Sequence, residues 1–162
     1  MNTSDLSDTL PDGLGLRAGM PRILVAEDDD EMRALVVGTL RDDGYDVVEA
    51  RSGHEAMKTI LALAASNTEA DPADIGVDLL LTDVRMPGAS GLGLVDALHR
   101  VMRSVPTVLM TAFPDDEVHS EAVRLGVPVL AKPFRLDFLR RIVLATLTAA
   151  NAPEDRDAGL DP

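Results

Sequence analysis

Five short apolar runs alternate along the chain with five segments in which apolar residues recur three and four positions apart. The runs are residues 22–26, 45–50, 77–82, 106–111 and 127–131. The length of the runs is typical of strands. The recurrence of apolar residues every three and four positions in the segments between them is typical of amphipathic helices. Regular alternation of the two favours a parallel sheet with helices on both faces. We therefore predict an α/β fold with a five-stranded, doubly wound parallel sheet.

The helical segments carry apolar positions that we expect to face the core. In chain order they are Met32, Leu35, Val36 and Leu40; Met57, Ile60, Leu61 and Ala64; Leu94, Val95, Leu98, Val101 and Met102; Val118, Ala122 and Leu125; and Leu136, Leu139, Ile142, Val143 and Leu147. The fourth set is the smallest. The helix that carries it is therefore the one we expect to be displaced most easily.

A chain of 162 residues is long enough for one domain with a sizeable core. Residues 1–20 and 149–162 are polar and lack periodicity, so we expect a disordered N-terminal extension and a disordered acidic tail around a domain at 21–148. A polar stretch at 67–76 precedes the third strand. It is a helix-to-strand connection, so it should lie at the end of the sheet opposite the strand-to-helix loops.

The net charge of -13 argues against binding to nucleic acid or to anionic membranes. It suits a protein that holds a cation or meets a basic partner. The chain has no cysteine, which rules out disulfides and thiolate sites and suits a reducing compartment. With no secretory signal and no apolar run long enough to span a membrane, we expect a cytoplasmic protein.

Polar side chains follow four of the five predicted strands at the point where each strand ends. They are Glu27 and Asp28 after the first strand, Asp83 after the third, Thr111 at the end of the fourth and Lys132 after the fifth. In open α/β sheets, ligands bind beyond the carboxyl ends of the strands, where the strand order reverses. Three carboxylates, a hydroxyl and an ammonium at that edge predict a functional site.

Glu27 and Asp28 begin a run of five consecutive acids, ILVAEDDDE, that continues to Glu31. The last three acids, Asp29, Asp30 and Glu31, have a simpler explanation than a ligand site. They open a helix, where a side-chain cap and negative charge near the N-terminus are stabilising.

The sequence resembles the response-regulator receiver family over about residues 21–148. The matching motifs are ILVAEDDDEMR, LLLTDVRMPGASG, VLMTAF and VLAKPF, and they occur in the family's order. The resemblance implies a flavodoxin-like (βα)5 sheet in the order 2-1-3-4-5, with the first and third strands adjacent. It also implies a signalling protein rather than an enzyme, one that assists its own phosphorylation and dephosphorylation.

The resemblance assigns the phosphoacceptor and a metal site. Asp83 would accept the phosphoryl group, since a carboxylate can form an acyl phosphate. Asp28, Asp83 and the backbone carbonyl of Arg85 would bind Mg²⁺, with Mn²⁺ as an alternative, and Glu27 would act mainly through water. The cation would offset the charge of the reacting group.

The remaining motif residues would bind the phosphoryl group or shape the loops. Thr111 would hydrogen-bond one phosphoryl oxygen, and Lys132 would form an ion pair with another. Pro87 and Gly91 suit a tight connection after Asp83. Pro133 resembles the cis-proline of the family, although a trans bond is the commoner form of any X-Pro bond.

One position departs from the family pattern. Receivers usually carry Tyr, Phe or His three residues before the lysine, and this chain has Val129. In that family, phosphorylation draws the Thr hydroxyl inward and the aromatic ring follows it. Val129 has no ring that could follow Thr111 in this way, so the nearby Phe113 is the alternative switch residue. We expect the conformational change that follows phosphorylation to pass through residues 113–125, and we expect Phe138 on the last helix to contact the partner.

The resemblance implies a stand-alone receiver that is phosphorylated by a histidine kinase or a histidine phosphotransfer protein. The phosphorylated receiver would then contact a downstream protein target. A homodimer through the last two helices is a further option. A phosphate sink or relay and a constitutive interaction module are alternatives. Another is a phosphatase of the haloacid dehalogenase type, which also uses an Asp nucleophile with Mg²⁺. Asp28 and Asp30 have the spacing of its paired acids, but Met32 stands where Thr or Val is expected, and KPFRLDFLRR lacks its later acidic pair.

Overall fold

The computed structural model describes residues 19–66, 75–101 and 105–152. Within them, five strands form one sheet: β1 (Arg22–Ala26), β2 (Asp46–Ala50), β3 (Leu79–Asp83), β4 (Thr107–Thr111) and β5 (Val129–Ala131). The helices are α1 (Asp30–Asp42), α2 (Gly53–Ser66), α3 (Gly91–Val101), α4 (Asp116–Leu125) and α5 (Leu136–Ala150). All strand pairs are parallel and the order is β2-β1-β3-β4-β5. The predicted fold and strand order are confirmed.

The sheet separates two apolar clusters. Alternate residues of β1 point to opposite faces, so Leu24 packs with α2, α3 and α4 while Ile23 packs with α1 and α5. Every residue of β3 and β4 is buried. Burial on both faces explains why these strands read as continuous apolar runs rather than as alternating patterns.

Four strands begin later than predicted, and for β4, which begins at Thr107, the difference is a single residue. Tyr45 precedes β2, although its ring is buried in the cluster with α1 and α5. The third strand begins at Leu79 and extends to Asp83. The fifth begins at Val129, because the N–H of Val127 bonds the Ala122 carbonyl in the turn that ends α4. Proline at 128 has no N–H to give to a sheet.

Two predicted core residues are exposed. Leu35 and Leu61 have 48% and 51% of their surface accessible. On α1 the buried face instead includes Val37, beside Val36 and Leu40. Because α1 has three consecutive apolar residues from 35 to 37, spacing alone did not determine which of them faces the sheet.

Several predictions fall on residues outside the described ranges: the disorder of 1–18 and 153–162, most of the 67–76 stretch, and the packing of Met102 and of the Val101 side chain. The last helix reaches Ala150, two residues beyond the predicted domain end at 148. No helix in the described part of the chain is both long and apolar enough to cross a membrane.

Candidate functional site

The carboxyl ends of the strands place the predicted site residues at one edge of the sheet. Glu27 directly follows β1, Asp83 is the last residue of β3, Thr111 is the last residue of β4, and Lys132 directly follows β5. The order of the strands brings β1 and β3 together at the point where the direction of the crossover connections reverses. The sequence spacing alone could not give this adjacency.

Three carboxylates converge at this edge. Glu27, Asp28 and Asp83 each offer one oxygen, and these oxygens lie within 4.8 Å of one another. Glu27 is 1% exposed and Asp83 is also buried, whereas Asp28 is exposed. Like charges this close repel, and a cation bound between them offsets that repulsion. The donor set is all oxygen and anionic, which fits a hard divalent cation such as Mg²⁺.

Lys132 reaches the same cluster from β5. Its Nζ lies 2.7 Å from Oε2 of Glu27 and 3.5 Å from Oδ1 of Asp83. Its backbone N–H donates to the Thr111 carbonyl at 2.7 Å, which fixes the start of the loop. The Lys132–Pro133 peptide bond is cis. The two Nζ distances place the ammonium where it can pair with negative charge on Asp83.

Burial determines the direction in which the pKa values of Glu27 and Asp83 shift. Desolvation raises the pKa of Glu27 and of Asp83 above the usual carboxyl range. Lys132 acts against this in both cases, and the negative charge of Asp28 raises the pKa of Asp83 further. Lys132 thus favours the ionised form of each acid.

Glu27 is fixed at its backbone and at its side chain. Its N–H donates to the Ala50 carbonyl at 3.1 Å, and its own carbonyl accepts from Nη1 of Arg33 at 2.9 Å. One carboxylate oxygen accepts from the Asp29 N–H at 3.1 Å, and the other accepts from Lys132. This acid is therefore oriented by four separate contacts.

The acids that follow Asp28 open helix α1. The Asp29 side chain accepts from the Met32 N–H at 2.7 Å and is the N-cap, as predicted. Asp30 and Glu31 lie in the first turn, where the helix dipole favours acids. Asp30 also forms an ion pair with Arg33.

Arg33 is the residue of this site that the sequence prediction missed. The spacing of apolar residues on α1 did indicate that Arg33 is buried. Arg33 lies three, four and seven positions before Val36, Val37 and Leu40, which are buried, so an arginine occupies the core-facing side of α1. A base on a buried face immediately after a run of acids predicts a buried partner for it.

The loop between β3 and α3 packs tightly against the end of the strand. The Val84 N–H donates to the Met110 carbonyl at 2.8 Å, and the Gly91 N–H donates to the Val84 carbonyl at 3.0 Å. A Cβ on Gly91 would lie 2.1 Å from the Asp83 carbonyl oxygen. Residue 91 therefore has to be glycine for a reason beyond turn geometry: the backbone of α3 approaches that of Asp83 too closely for a side chain.

The predicted switch residues Thr111, Phe113 and Val129 lie at the end of β4, in the loop after it and at the start of β5. Oγ1 of Thr111 is buried and accepts from the Phe113 N–H at 3.0 Å. The Phe113 ring is 60% exposed, and the guanidinium carbon of Arg85 lies 4.9 Å from its centroid. Arg85 also pairs with Asp115, the N-cap of α4, at 3.2 Å. Val129 is partly buried and packs against the cluster with α2, α3 and α4.

A cavity of about 620 Å³ adjoins the acidic cluster between the β3–α3 loop and the start of α4. Its lining includes Asp28, Arg85, Met86, Asp115 and Val118. Asp28 of the acidic cluster therefore lines this cavity together with the Arg85–Asp115 pair.

Comparison with known proteins agrees with this geometry. The model of the response regulator receiver domain matches residues 23–144. A two-component response regulator-like protein of Arabidopsis thaliana, APRR7, is 31% identical over 122 residues, covering 74% of this chain and 15% of that protein. The regulatory protein AtoC of Escherichia coli K12 is 31% identical over 127 residues, covering 78% of this chain and 25% of that protein.

A crystal structure of the chemotaxis protein CheY4 of Vibrio cholerae is 27% identical, with a TM-score of 0.62, and covers 79% of this chain and 99% of that chain. The chain thus spans a quarter or less of the two curated relatives, whereas it matches nearly all of CheY4. The match of the family model covers most of the chain and all five strands apart from Arg22 at the start of β1. This chain belongs to the response regulator receiver domain family of two-component signalling.

Proposed function

We propose that Asp83 accepts a phosphoryl group from a histidine kinase or a histidine phosphotransfer protein, and that the modified chain signals by contact with a downstream protein. The observation that carries this proposal is the position of Asp83. Its carboxylate ends β3 within 4.8 Å of oxygens of Glu27 and Asp28, and Lys132 lies 3.5 Å away. A nucleophile surrounded by anionic ligands and one ammonium suits transfer of a highly charged group.

The proposed step is an in-line displacement at phosphorus. A carboxylate oxygen of Asp83 forms a bond to phosphorus while the bond from phosphorus to the donor's imidazole nitrogen breaks, and the electron pair leaves with that nitrogen. Asp83 has to be ionised to attack. Lys132 opposes the effect of burial on the pKa of Asp83, so it favours the ionised form.

The metal dependence rests on the acidic cluster. Asp28 and Asp83 would hold Mg²⁺ with the Arg85 backbone carbonyl, and Glu27 would act mainly through water. When bound, the cation supplies positive charge that offsets the negative charge of the phosphoryl oxygens. Asp28 is exposed at the open side of the cluster, and Glu27 is fixed at its buried side.

Thr111 and Lys132 would bind the transferred group. Oγ1 of Thr111 accepts a hydrogen bond from the Phe113 N–H, which leaves its own hydroxyl hydrogen to donate to a phosphoryl oxygen. The Nζ of Lys132 has three hydrogens, so it can contact Glu27 and a phosphoryl oxygen together.

The readout would run from Thr111 into residues 113–125. The Phe113 N–H is bonded to Oγ1 of Thr111, so movement of that hydroxyl toward a phosphoryl group also acts on the loop. The pair of Arg85 and Asp115 connects the loop after Asp83 to the N-cap of α4. Exposed Val123 on α4 and Phe138 on α5 offer apolar contacts for the downstream target, and a homodimer would use the same helices.

Incubation with acetyl phosphate and Mg²⁺ tests this function without knowledge of the natural donor. A receiver accumulates an acyl phosphate that is stable in acid and labile in alkali, and chelation of the metal prevents its formation. Continuous turnover of the donor without a stable adduct would identify a phosphatase instead. A protein that neither becomes modified nor consumes the donor would be an interaction module.

A further inference from the structure

Arg33 is the only lysine or arginine among the described residues whose side chain is buried. It lies on α1 and is 5% exposed. The Lys132 side chain is also largely buried, but 13% of its surface remains exposed. A buried guanidinium is costly unless its donors are satisfied, so its contacts show what it holds in place.

The Arg33 guanidinium joins three parts of the chain. Nη1 donates to the Glu27 carbonyl at 2.9 Å, Nη2 pairs with Asp30 at the start of α1, and Nε lies 3.5 Å from Oε2 of Glu49 on β2. The acidic loop from Glu27 to Asp30 is thus tied at both ends to one planar group. The rigid fork of arginine can do this, whereas a lysine ammonium acts as a single point charge.

The contact to Glu27 is made at its backbone and not at its carboxylate. Arg33 therefore leaves the carboxylate to Lys132 and to the Asp29 N–H. A fixed carbonyl limits rotation of the peptide between Glu27 and Asp28. The direction in which both of those side chains leave the backbone depends on that peptide.

We propose that Arg33 is a positioning residue for the cation site, holding the loop so that the Glu27 and Asp28 carboxylates face Asp83. The proposal rests on the proposed function, because it takes the acidic cluster to be where Mg²⁺ binds. Arg33 itself would not touch the cation. Its contribution is the orientation of the groups that do, as second-layer hydrogen bonds orient ligands in other metal sites.

Positioning and simple charge balance predict opposite effects. If Arg33 only balanced the acids, its removal would leave the cluster more negative, and Mg²⁺ would bind more tightly. If Arg33 positions the loop, its removal would weaken Mg²⁺ binding although the charge change favours the cation. The sign of the change therefore distinguishes the two roles.

The experiment compares Arg33→Met, Arg33→Lys and Arg41→Met with the unaltered protein. Arg41 is a matched control, because it pairs with the same Glu49 at 3.1 Å and donates to the Val47 carbonyl, yet within the described part of the chain it does not contact the acidic loop. Mg²⁺ affinity is measured by calorimetric titration and by amide shifts. Thermal unfolding without metal shows which variants are folded at the titration temperature.

We expect Arg33→Met to bind Mg²⁺ roughly tenfold or more weakly, Arg33→Lys to bind it more weakly than the unaltered protein, and Arg41→Met to bind it normally. Equal or tighter binding by Arg33→Met would overturn the positioning role. If that variant does not fold, Arg33→Lys decides: it retains the charge, so normal affinity would contradict the proposal. Failure of the unaltered protein to bind Mg²⁺ with shifts at residues 27, 28 and 83 would contradict the proposed function itself.

Discussion

The Lys132 ammonium lies closer to Glu27 than to Asp83, at 2.7 Å against 3.5 Å. The basic group of the site is therefore bonded to the more deeply buried acid and only approaches the proposed nucleophile. Among the described residues, Lys132 is the cation that lowers the pKa of both acids. The stability of the metal-free protein should depend strongly on this one contact.

Replacing Lys132 with Met should destabilise the metal-free protein, because Glu27 would be left buried without its cation partner. Removal of one member of a buried ion pair costs about 3 kcal/mol. Urea unfolding followed by circular dichroism at neutral pH measures the change. Lys58→Met is the control, since Lys58 is exposed on α2. A Lys132→Met variant as stable as the control would show that the contact is weak.

The deficit of Lys132→Met should shrink as the pH falls. Loss of Lys132 removes the main influence that lowers the pKa of Glu27, so that pKa rises further above its ordinary value of 4.5. A buried acid with a raised pKa destabilises the fold when ionised, and that penalty disappears as the acid takes up a proton at lower pH. A deficit that stayed constant between neutral and acidic pH would argue against Glu27 as its source.

Mg²⁺ should stabilise the protein more at neutral pH than at acidic pH. Burial raises the pKa of Glu27 and Asp83 above 4.5 and 3.8, so the native state binds protons more tightly than the unfolded chain in the window above those values. The metal-free unfolding free energy therefore falls as pH rises through that window. Mg²⁺ binds the ionised acids, so its effect grows through the same window. At a hundredfold excess over Kd the stabilisation is about 2.7 kcal/mol.

Thermal melts with and without Mg²⁺ across this pH range provide the measurement. Ca²⁺-free buffers and an EDTA arm exclude contaminating metal. A shift in Tm that is independent of pH would indicate that the cation binds elsewhere on the acidic surface.

Gly91→Ala should distort the site, because its Cβ would lie 2.1 Å from the Asp83 carbonyl oxygen and 3.1 Å from Oγ1 of Thr82. Neither the strand end nor the start of α3 can move without shifting Asp83. We expect a loss of about 1–3 kcal/mol in unfolding free energy and slower labelling by acetyl phosphate. Gly93→Ala is the matched control, since its Cβ would meet only the Ser90 hydroxyl, at 3.2 Å. Equal behaviour of the two variants would show that the close approach is unimportant.

Beryllofluoride, a phosphoryl mimic, should shift amides of residues 113–125 more than those of α2. Arg85→Ala should reduce these shifts, because it removes the contacts of Arg85 to the Phe113 ring and to Asp115 but retains the backbone carbonyl. Arg141→Ala is a control of the same chemistry, with an arginine over Phe138 that also pairs with Asp137. Larger shifts in α2 than in 113–125, or none of the expected reduction, would exclude this route.

The pattern of apolar runs and strand-end polar residues predicted a parallel sheet with a polar carboxyl edge. The apolar runs at 22–26 and 77–82 and the polar residues directly after the strands indicate which end of the sheet is polar. The order β2-β1-β3-β4-β5 came from the family resemblance, since strand spacing does not specify which strands are neighbours.

The details that were missed depend on tertiary contacts. Leu35 is as apolar as Val37, and only packing against the sheet determines which of them is buried. Arg33 was not predicted as part of the site because an arginine on a helix is usually exposed, and its partners Glu27 and Glu49 lie on other elements. The preference of Lys132 for Glu27 over Asp83 is a difference of less than 1 Å, which no sequence pattern encodes.

The identity of the modified residue tests the central claim most directly. The protein is labelled with acetyl phosphate in the presence of Mg²⁺, the acyl phosphate is reduced with borohydride, and the peptides are analysed by mass spectrometry. We predict homoserine at position 83 and no labelling of Asp83→Asn, which retains the shape of the side chain but not its nucleophile. Undiminished labelling of Asp83→Asn, or modification at Glu27 or Asp28 in the unaltered protein, would contradict the account.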